Sequence, residues 1–460
     1  MMGKYMNYIG LGSGMAVAIL IYSLPLTGLS AEGKMAMSLS LMTVVFWAFQ
    51  IAQAGYISGL YLALLVIFKV APADVVFSPW IGSTMYLVIG AYLIATAVKS
   101  SGLGERIGYK FLLKYGSSYR SVIISIFVLT FILSLLIPHP WPRAFLIMSI
   151  MAVVIKGAHL PAEDAAKIGF TVFAASVPIS TIFLTGDSVI NPLAVEFSGV
   201  KVSWIDWFVY MGLPSIVASI ITCILILLLF KPSVKISIDK KDIENKLSHL
   251  GTLSKTEKLT IVWLVIAVAL WMTDFIHGIN IGWITLLIAM LMSFPVGGVL
   301  KKNDWASVPV QVLLFLSAAI TIGKVGAVTG MNTWLAENIL PSTLPANPFL
   351  FALLITAFSV LIHMVLGSVI AVMGITIPTL LVVTQSLGID PLIVTLLVFT
   401  AISIHYLFPF HHLNILVGQG EENGLYSQKE VMRLGIPLTI VVFLITVGIE
   451  IPWWKLLGLL

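Results

Sequence analysis

Charge is what this sequence most lacks. Asp, Glu, Lys and Arg make up 10% of its 460 residues, while 59% are apolar. A soluble domain carries about a quarter charged residues, so this chain cannot clothe a folded surface in water. Cysteine is almost absent as well. The single Cys223 lies in an apolar run, which excludes an internal disulfide and a cysteine metal cluster. There is no series of roughly ten-residue alternating segments, so a transmembrane β-barrel is excluded. His-Glu-x-x-His and Gly-x-Ser-x-Gly do not occur, which speaks against an intramembrane enzyme. On such a chain the net charge of +5 is no nucleic-acid signal, and its distribution reports membrane orientation instead.

What is present is a succession of apolar runs roughly 18 to 25 residues long, each enough to cross a hydrocarbon core of about 30 Å. The fold class expected is an all-α polytopic membrane protein, with about 11 transmembrane helices plus two re-entrant hairpins in an inverted-topology repeat. The run at 8–26 is read as a retained first span, because Pro25 and Gly28 end it without a small-residue cleavage site. Residues 231–258 are the one long hydrophilic stretch, with seven lysines, and they link two halves of similar length.

The two halves share a pattern. Asn191 is followed 21 positions later by Gly212-Leu213-Pro214, and Asn414 is followed 21 positions later by Gly435-Ile436-Pro437. Each Asn lies in a short polar segment that breaks an apolar run, and each Gly-[Leu/Ile]-Pro is expected at the start of a long helix. Paired broken helices in corresponding positions point to the binding site of a secondary transporter. Ahead of each break stands a candidate hairpin. The first turns at Pro138-His139-Pro140-Trp141-Pro142-Arg143, where three prolines stop a helix. The second turns at Gly367-Ser368. Non-helical backbone at membrane depth is tolerated only where it is buried in protein or lines a cavity.

The domains expected are 1–230 as the first repeat (scaffold 1–120, hairpin and broken helix 121–230), a cytoplasmic linker 231–258, and 259–460 as the second repeat (scaffold 259–340, hairpin and broken helix 341–460). Basic residues cluster at 99–120, at 231–258 and at Lys301-Lys302, whereas 330–340 has no Lys or Arg. A cytoplasmic N-terminus with oppositely oriented halves puts all three basic segments inside. Lys110 and Lys114 share one helical face, as on a helix lying along the membrane surface.

These stretches resemble the divalent anion/sodium symporter family of the ion-transporter superfamily, over nearly the whole chain. The resemblance is carried by Leu24-Pro25-Leu26-Thr27-Gly28-Leu29-Ser30, by 92–107 with Lys99-Ser100-Ser101-Gly102-Leu103, and by the two Asn and Gly-[Leu/Ile]-Pro repeats. It implies an elevator-type homodimer, in which a scaffold surrounds a mobile domain holding both hairpins and both broken helices. The family places Ser-Asn-Thr at each hairpin tip to contact substrate and help bind sodium. Here those positions are His139-Pro140-Trp141 and Ser368-Val369-Ile370, so only Ser368 matches.

The candidate substrate-binding residues are Asn191, Asn414, Ser368, Arg143, His139 and Ser188. Asn and Ser add hydrogen bonds beside free helix N-termini, which attract anions. Arg143 could clasp a carboxylate or sulfate in bidentate fashion. Asp187, His411 and His412 are the candidate coupling groups. Asp187 could coordinate a cation, carry a proton or pair with Arg143, since ionisable groups at this depth are costly and usually functional. The histidines could titrate near neutral pH. The expected activity is secondary active transport of a small di- or tricarboxylate or sulfate-like anion, by an elevator mechanism in the cell membrane. No catalysis, resident cofactor or structural metal is expected. Sodium is the first candidate coupling ion, with proton coupling or exchange as the alternative, and a channel as a rival class.

Overall fold

The computed structural model describes residues 2–233, 240–295, 298–339 and 344–460. Residues 234–239 of the expected linker, and the expected boundary between scaffold and second hairpin at 340–341, lie outside the described residues. Among the described residues there is no β-strand. The chain opens with α1 (Met2–Ser23), α2 (Ala31–Ala48), α3 (Ala54–Ile67), the single turn α4 (Ala73–Val76), α5 (Ser83–Ser101) and α6 (Leu103–Tyr115). It continues with α7 (Tyr119–Leu136), α8 (Pro140–Gly157), α9 (Ala162–Ile179), α10 (Ile190–Ser198) and α11 (Trp204–Leu229). After α12 (Lys241–His249) come α13 (Lys255–Met272), the turn α14 (Asp274–His277), α15 (Ile281–Leu291), α16 (Val310–Val328) and α17 (Met331–Ile339). The last group is α18 (Pro348–Leu366), α19 (Val369–Ser386), α20 (Pro391–Ser403), α21 (Leu413–Gly418), α22 (Gln428–Ile445) and α23 (Ile451–Leu456). Seven helices among the described residues are long and apolar enough to cross a membrane, and five shorter apolar helices accompany them.

Local chemistry sets the helix starts. Pro140 opens α8 and Pro348 opens α18, where a missing N–H costs nothing. The prolines at 138–142 thus end one hairpin arm and begin the other. Capping boxes start α11 (Ser203 with Asp206) and α22 (Ser427 with Glu430) at corresponding places in the two halves. These caps correct one expectation: Gly212–Pro214 and Gly435–Pro437 lie well inside α11 and α22, not at their starts. Gly435 serves a close crossing, because a Cβ there would collide with the Tyr406 carbonyl oxygen at the second helix break.

The packing follows the repeat. α5 packs on α15, and its counterpart α16 packs on α3, the counterpart of α15. α9 packs on α21 and α10 on α20, so each half's broken helix leans on the other's. The hairpin arms α7 and α18 pack on α9 and α20 respectively, and α11 meets α22. Every residue from 164 to 179 in α9 and from 392 to 403 in α20 is buried. Helices hidden on all sides belong at the centre of a bundle.

On the amphipathic α6, Lys110 and Lys114 are exposed, as the spacing predicts. Arg106 is not. It is buried against Glu257, which lies ahead of the apolar span beginning at Leu259, with Nε–Oε1 at 2.5 Å and further bonds to the carbonyls of Leu250, Gly251 and Thr252. Those guanidinium hydrogen bonds hold the Glu257 carboxyl below its usual range.

Candidate functional site

The two hairpin tips and the two helix breaks converge on one cavity of about 400 Å³. The first half contributes His139 and Trp141 from the hairpin, and Asp187, Val189 and Ile190 from the break. The second half contributes residues 366–370 from its hairpin, and Phe410, His412, Leu413, Asn414 and Leu416 from its break. The facing wall comes from the ends of α2 and α3 (Trp47 to Ile57) and from Val312 and Phe315 of α16. Of the nine residues singled out by sequence, His139, Asp187, Ser368, His412 and Asn414 line the cavity, while Arg143, Ser188, Asn191 and His411 are buried behind it.

In the first half the polar groups mostly satisfy one another. The Asn191 carboxamide donates to the carbonyls of Ser180 (2.8 Å) and Phe183 (2.9 Å), tying down the backbone freed by the helix break. Arg143 is fully buried and donates to the carbonyls of Ile137 and Gly186 and to the Ser180 hydroxyl. It caps exposed carbonyls at a helix end, which suits a cation. No ion pair within 4 Å joins it to Asp187 among the described residues. Asp187 Oδ1 accepts from the amides of Val189 (2.9 Å) and Ile190 (3.2 Å), at the start of α10. His139 is held at both nitrogens, with Nε2 2.8 Å from the Tyr92 hydroxyl and Nδ1 3.3 Å from the Ser188 hydroxyl.

The second half is built differently. His412 Nδ1 accepts the amide hydrogen of Asn414, so in the neutral ring the proton sits on Nε2. That Nε2 is buried and makes no well-formed hydrogen bond among the described residues, with the Ser403 carbonyl the backbone acceptor that faces the ring. Asn414 Nδ2 is also buried without a partner among the described residues. Ser368, in the hairpin turn, is half-buried. Here the cavity wall therefore offers neutral donors, and no Lys or Arg lines it anywhere. Behind this wall His411 Nδ1 accepts from the amides of Leu407 and Phe408, and His363 Nε2 donates to the His411 carbonyl.

Several cavity residues were not singled out in the sequence. Trp47 comes from the last turn of α2, Gln50 and Gln53 from the connection between α2 and α3, and Tyr92 holds His139 from α5. Tyr92 opens one of the stretches that carries the family resemblance, which is the only signal that marked it.

Paired hairpins and paired broken helices around a shared cavity define an inverted-repeat membrane transporter. The chain belongs to the sodium:sulfate symporter family, whose "Sodium:sulfate symporter transmembrane region" matches residues 6–460. It is similar to the chloroplastic dicarboxylate transporter 1 of Spinacia oleracea, at 25% identity over 96% of this chain and 80% of that one. It is similar to a putative malate transporter of Bacillus subtilis, at 24% identity over 96% of this chain and 95% of the other. A sodium-dependent dicarboxylate transporter of Staphylococcus saprophyticus is 21% identical, covering 92% of this chain and 87% of its own.

Proposed function

We propose that this protein is a secondary active transporter of a small anion, working by an elevator movement coupled to a cation. The observation that carries the reading is the meeting of both hairpin tips and both helix breaks in one cavity against α2, α3 and α16. The relatives named for dicarboxylates and malate favour an organic anion, and the family description and the Staphylococcus saprophyticus relative favour sodium. In this reading 1–120 and 259–340 form the scaffold, and 121–230 and 341–460 form the moving body. His412, Asn414 and Ser368 contact the substrate. His139, with Ser188 behind it, lines the opposite tip. Asp187 faces the cation. Arg143 and Asn191 hold the first break in shape, and His411 does the same for the second. The protein works as a homodimer in the cell membrane, with its N-terminus in the cytoplasm. Exchange, or coupling to protons through Asp187 and the histidines, is the second reading, favoured by the loss of the Ser-Asn-Thr motifs.

The test is uptake into proteoliposomes under an imposed sodium gradient, a pH gradient or neither. Saturable, sodium-driven uptake is the expected result. Saturable uptake driven only by pH would transfer the coupling role to protons, and unsaturating, ohmic flux would overturn the transporter reading in favour of a channel.

A further inference from the structure

We infer that the transported anion carries a single carboxylate on an apolar body, and that the chain's own Asp187 stands where a second substrate carboxylate would otherwise bind. The inference rests on the anion-transport reading above and narrows it.

An inverted repeat supplies two equivalent half-sites, each a hairpin tip beside a helix break, and two half-sites suit an anion with two ends. In the second half the half-site is open. Asn414 Nδ2 and His412 Nε2 are unpartnered donors on side chains at least nine-tenths buried, and Ser368 stands beside them on the cavity wall. In the first half it is filled. Asp187 lines the cavity, and its Oδ1 takes the amide hydrogens of Val189 and Ile190, the groups at a helix start that attract an anion. The remaining donors are turned away from the cavity. The Asn191 amide nitrogen is turned onto carbonyls and the His139 ring is held at both nitrogens. Arg143 lies behind the wall, with Nη1 on backbone carbonyls, Nη2 on the Ser180 hydroxyl and Nε buried without a partner among the described residues. A second carboxylate at this end would find those amides already taken and would lie beside Asp187. The coupling cation and the Arg143 charge behind the wall balance Asp187 itself, and no Lys or Arg on the lining is left for another anion.

The rest of the wall selects for carbon. Trp47, Trp141, Phe315 and Phe410 present aromatic surface to the cavity, and Ile57 and Leu413 add aliphatic surface. The cavity's volume of about 400 Å³ falls within the range of small-organic-molecule sites. A sulfate or a short dicarboxylate would leave this surface uncovered. A branched or aryl monocarboxylate would cover it while its one charged end meets His412, Asn414 and Ser368.

The experiment is thermal unfolding of the full chain in detergent, in sodium and in choline buffer, against four ligand sets. These are phenylacetate and 4-methylpentanoate, the neutral amides of both acids, succinate and malate, and sulfate. A ligand that binds only the native state raises its stability by mass action. The expected result is a shift with the two monocarboxylates and none with their amides, the dicarboxylates or sulfate. Asp187→Asn should move the ratio of succinate to phenylacetate affinity by roughly tenfold or more toward succinate, because the like-charge penalty is gone. Trp141→Ala should weaken phenylacetate more than acetate, which is added to the series as the carboxylate without an apolar body. Tighter binding of succinate or malate than of the monocarboxylates by the wild-type protein would overturn this inference and leave the anion reading standing. Equal shifts with acids and amides would overturn the anion reading itself, and no shift with any anion would overturn both. The wild-type comparison decides the matter even if a variant does not fold.

Discussion

The Tyr92 hydroxyl of α5 lies 2.8 Å from His139 Nε2 at the first hairpin tip. The contact runs from the proposed scaffold to the proposed moving body. On the other side of the ring Nδ1 faces the Ser188 hydroxyl at 3.3 Å and the Asp187 carboxylate at 4.0 Å. Movement of the hairpin past α5 must break the first contact and carry the others along. Tyr92→Phe removes one hydrogen bond, about 1 kcal/mol, while keeping the packing of the ring. Uptake by Tyr92→Phe should fall roughly three- to tenfold, with little change in thermal stability and an altered pH profile. An unchanged rate at every pH from acid to alkaline would remove Tyr92 from the machinery.

The two matching asparagines should behave differently. Asn414 has an unpartnered amide on the cavity wall, whereas Asn191 is spent on backbone carbonyls. Asn414→Ala should weaken ligand binding roughly tenfold or more and leave unfolding near wild type. Asn191→Ala strands buried carbonyls and should lower stability by about 1–3 kcal/mol. Thermal unfolding with and without ligand separates the two, and equal stability losses would contradict the assignment.

Glu196, near the end of α10, accepts from the Thr84 hydroxyl of α5 (2.9 Å) and pairs with Lys324 of α16 (3.3 Å). Both partners sit on helices of the proposed scaffold. The pair is partly solvated, so its contribution to stability is small, about 0–1 kcal/mol. Glu196→Gln should therefore leave unfolding almost unchanged and alter the transport rate, since a contact across a moving boundary weights one position over the other. A large loss of stability with an unaltered rate would show that the contact is purely structural.

Removing one partner of a buried ion pair is costly. Arg106→Gln should lower stability by about 3 kcal/mol, because Glu257 is left buried without its cation. The pair also predicts an acid response. Folded Glu257 titrates below its ordinary value of 4.5, so near that pH the unfolded chain binds more protons than the folded one. The stability this adds is complete above about pH 4.5 and is lost as the pH falls through the folded pKa. Unfolding followed from pH 6 downward should show a steeper acid loss in the wild type than in a double variant with Arg106→Gln and Glu257→Gln. Parallel curves would argue against the coupling.

The breaks and hairpins were legible because their signals are local or repeated. Pro138, Pro140 and Pro142 stop a helix wherever they occur, and Asn191 and Asn414 recur at one offset from Gly-x-Pro. The direction of a side chain is not local. Asn191 and Asn414 look equivalent in sequence, yet one carboxamide turns to the backbone and the other to the cavity, because only the first has the carbonyls of Ser180 and Phe183 within reach. Arg143 looked like an anion clasp until its carbonyl partners were in view. Trp47 in the last turn of α2, and Gln50 and Gln53 in the short connection to α3, had no signal at all, since nothing in such a stretch tells which distant loops will face it.

The exchange of broken helices between the halves has a consequence for how the protein is made. α9 rests on α21 and α10 on α20, so the first half's broken segment is emitted by the ribosome long before its covering surface exists. Until α20 and α21 arrive, α9 and α10 must wait in the bilayer or the insertion machinery with the faces that pack on them uncovered. Completion of the chain is thus the step that closes the bundle. A ribosome stalled between the halves would leave a product that is inserted but unfinished, and a natural target for membrane quality control.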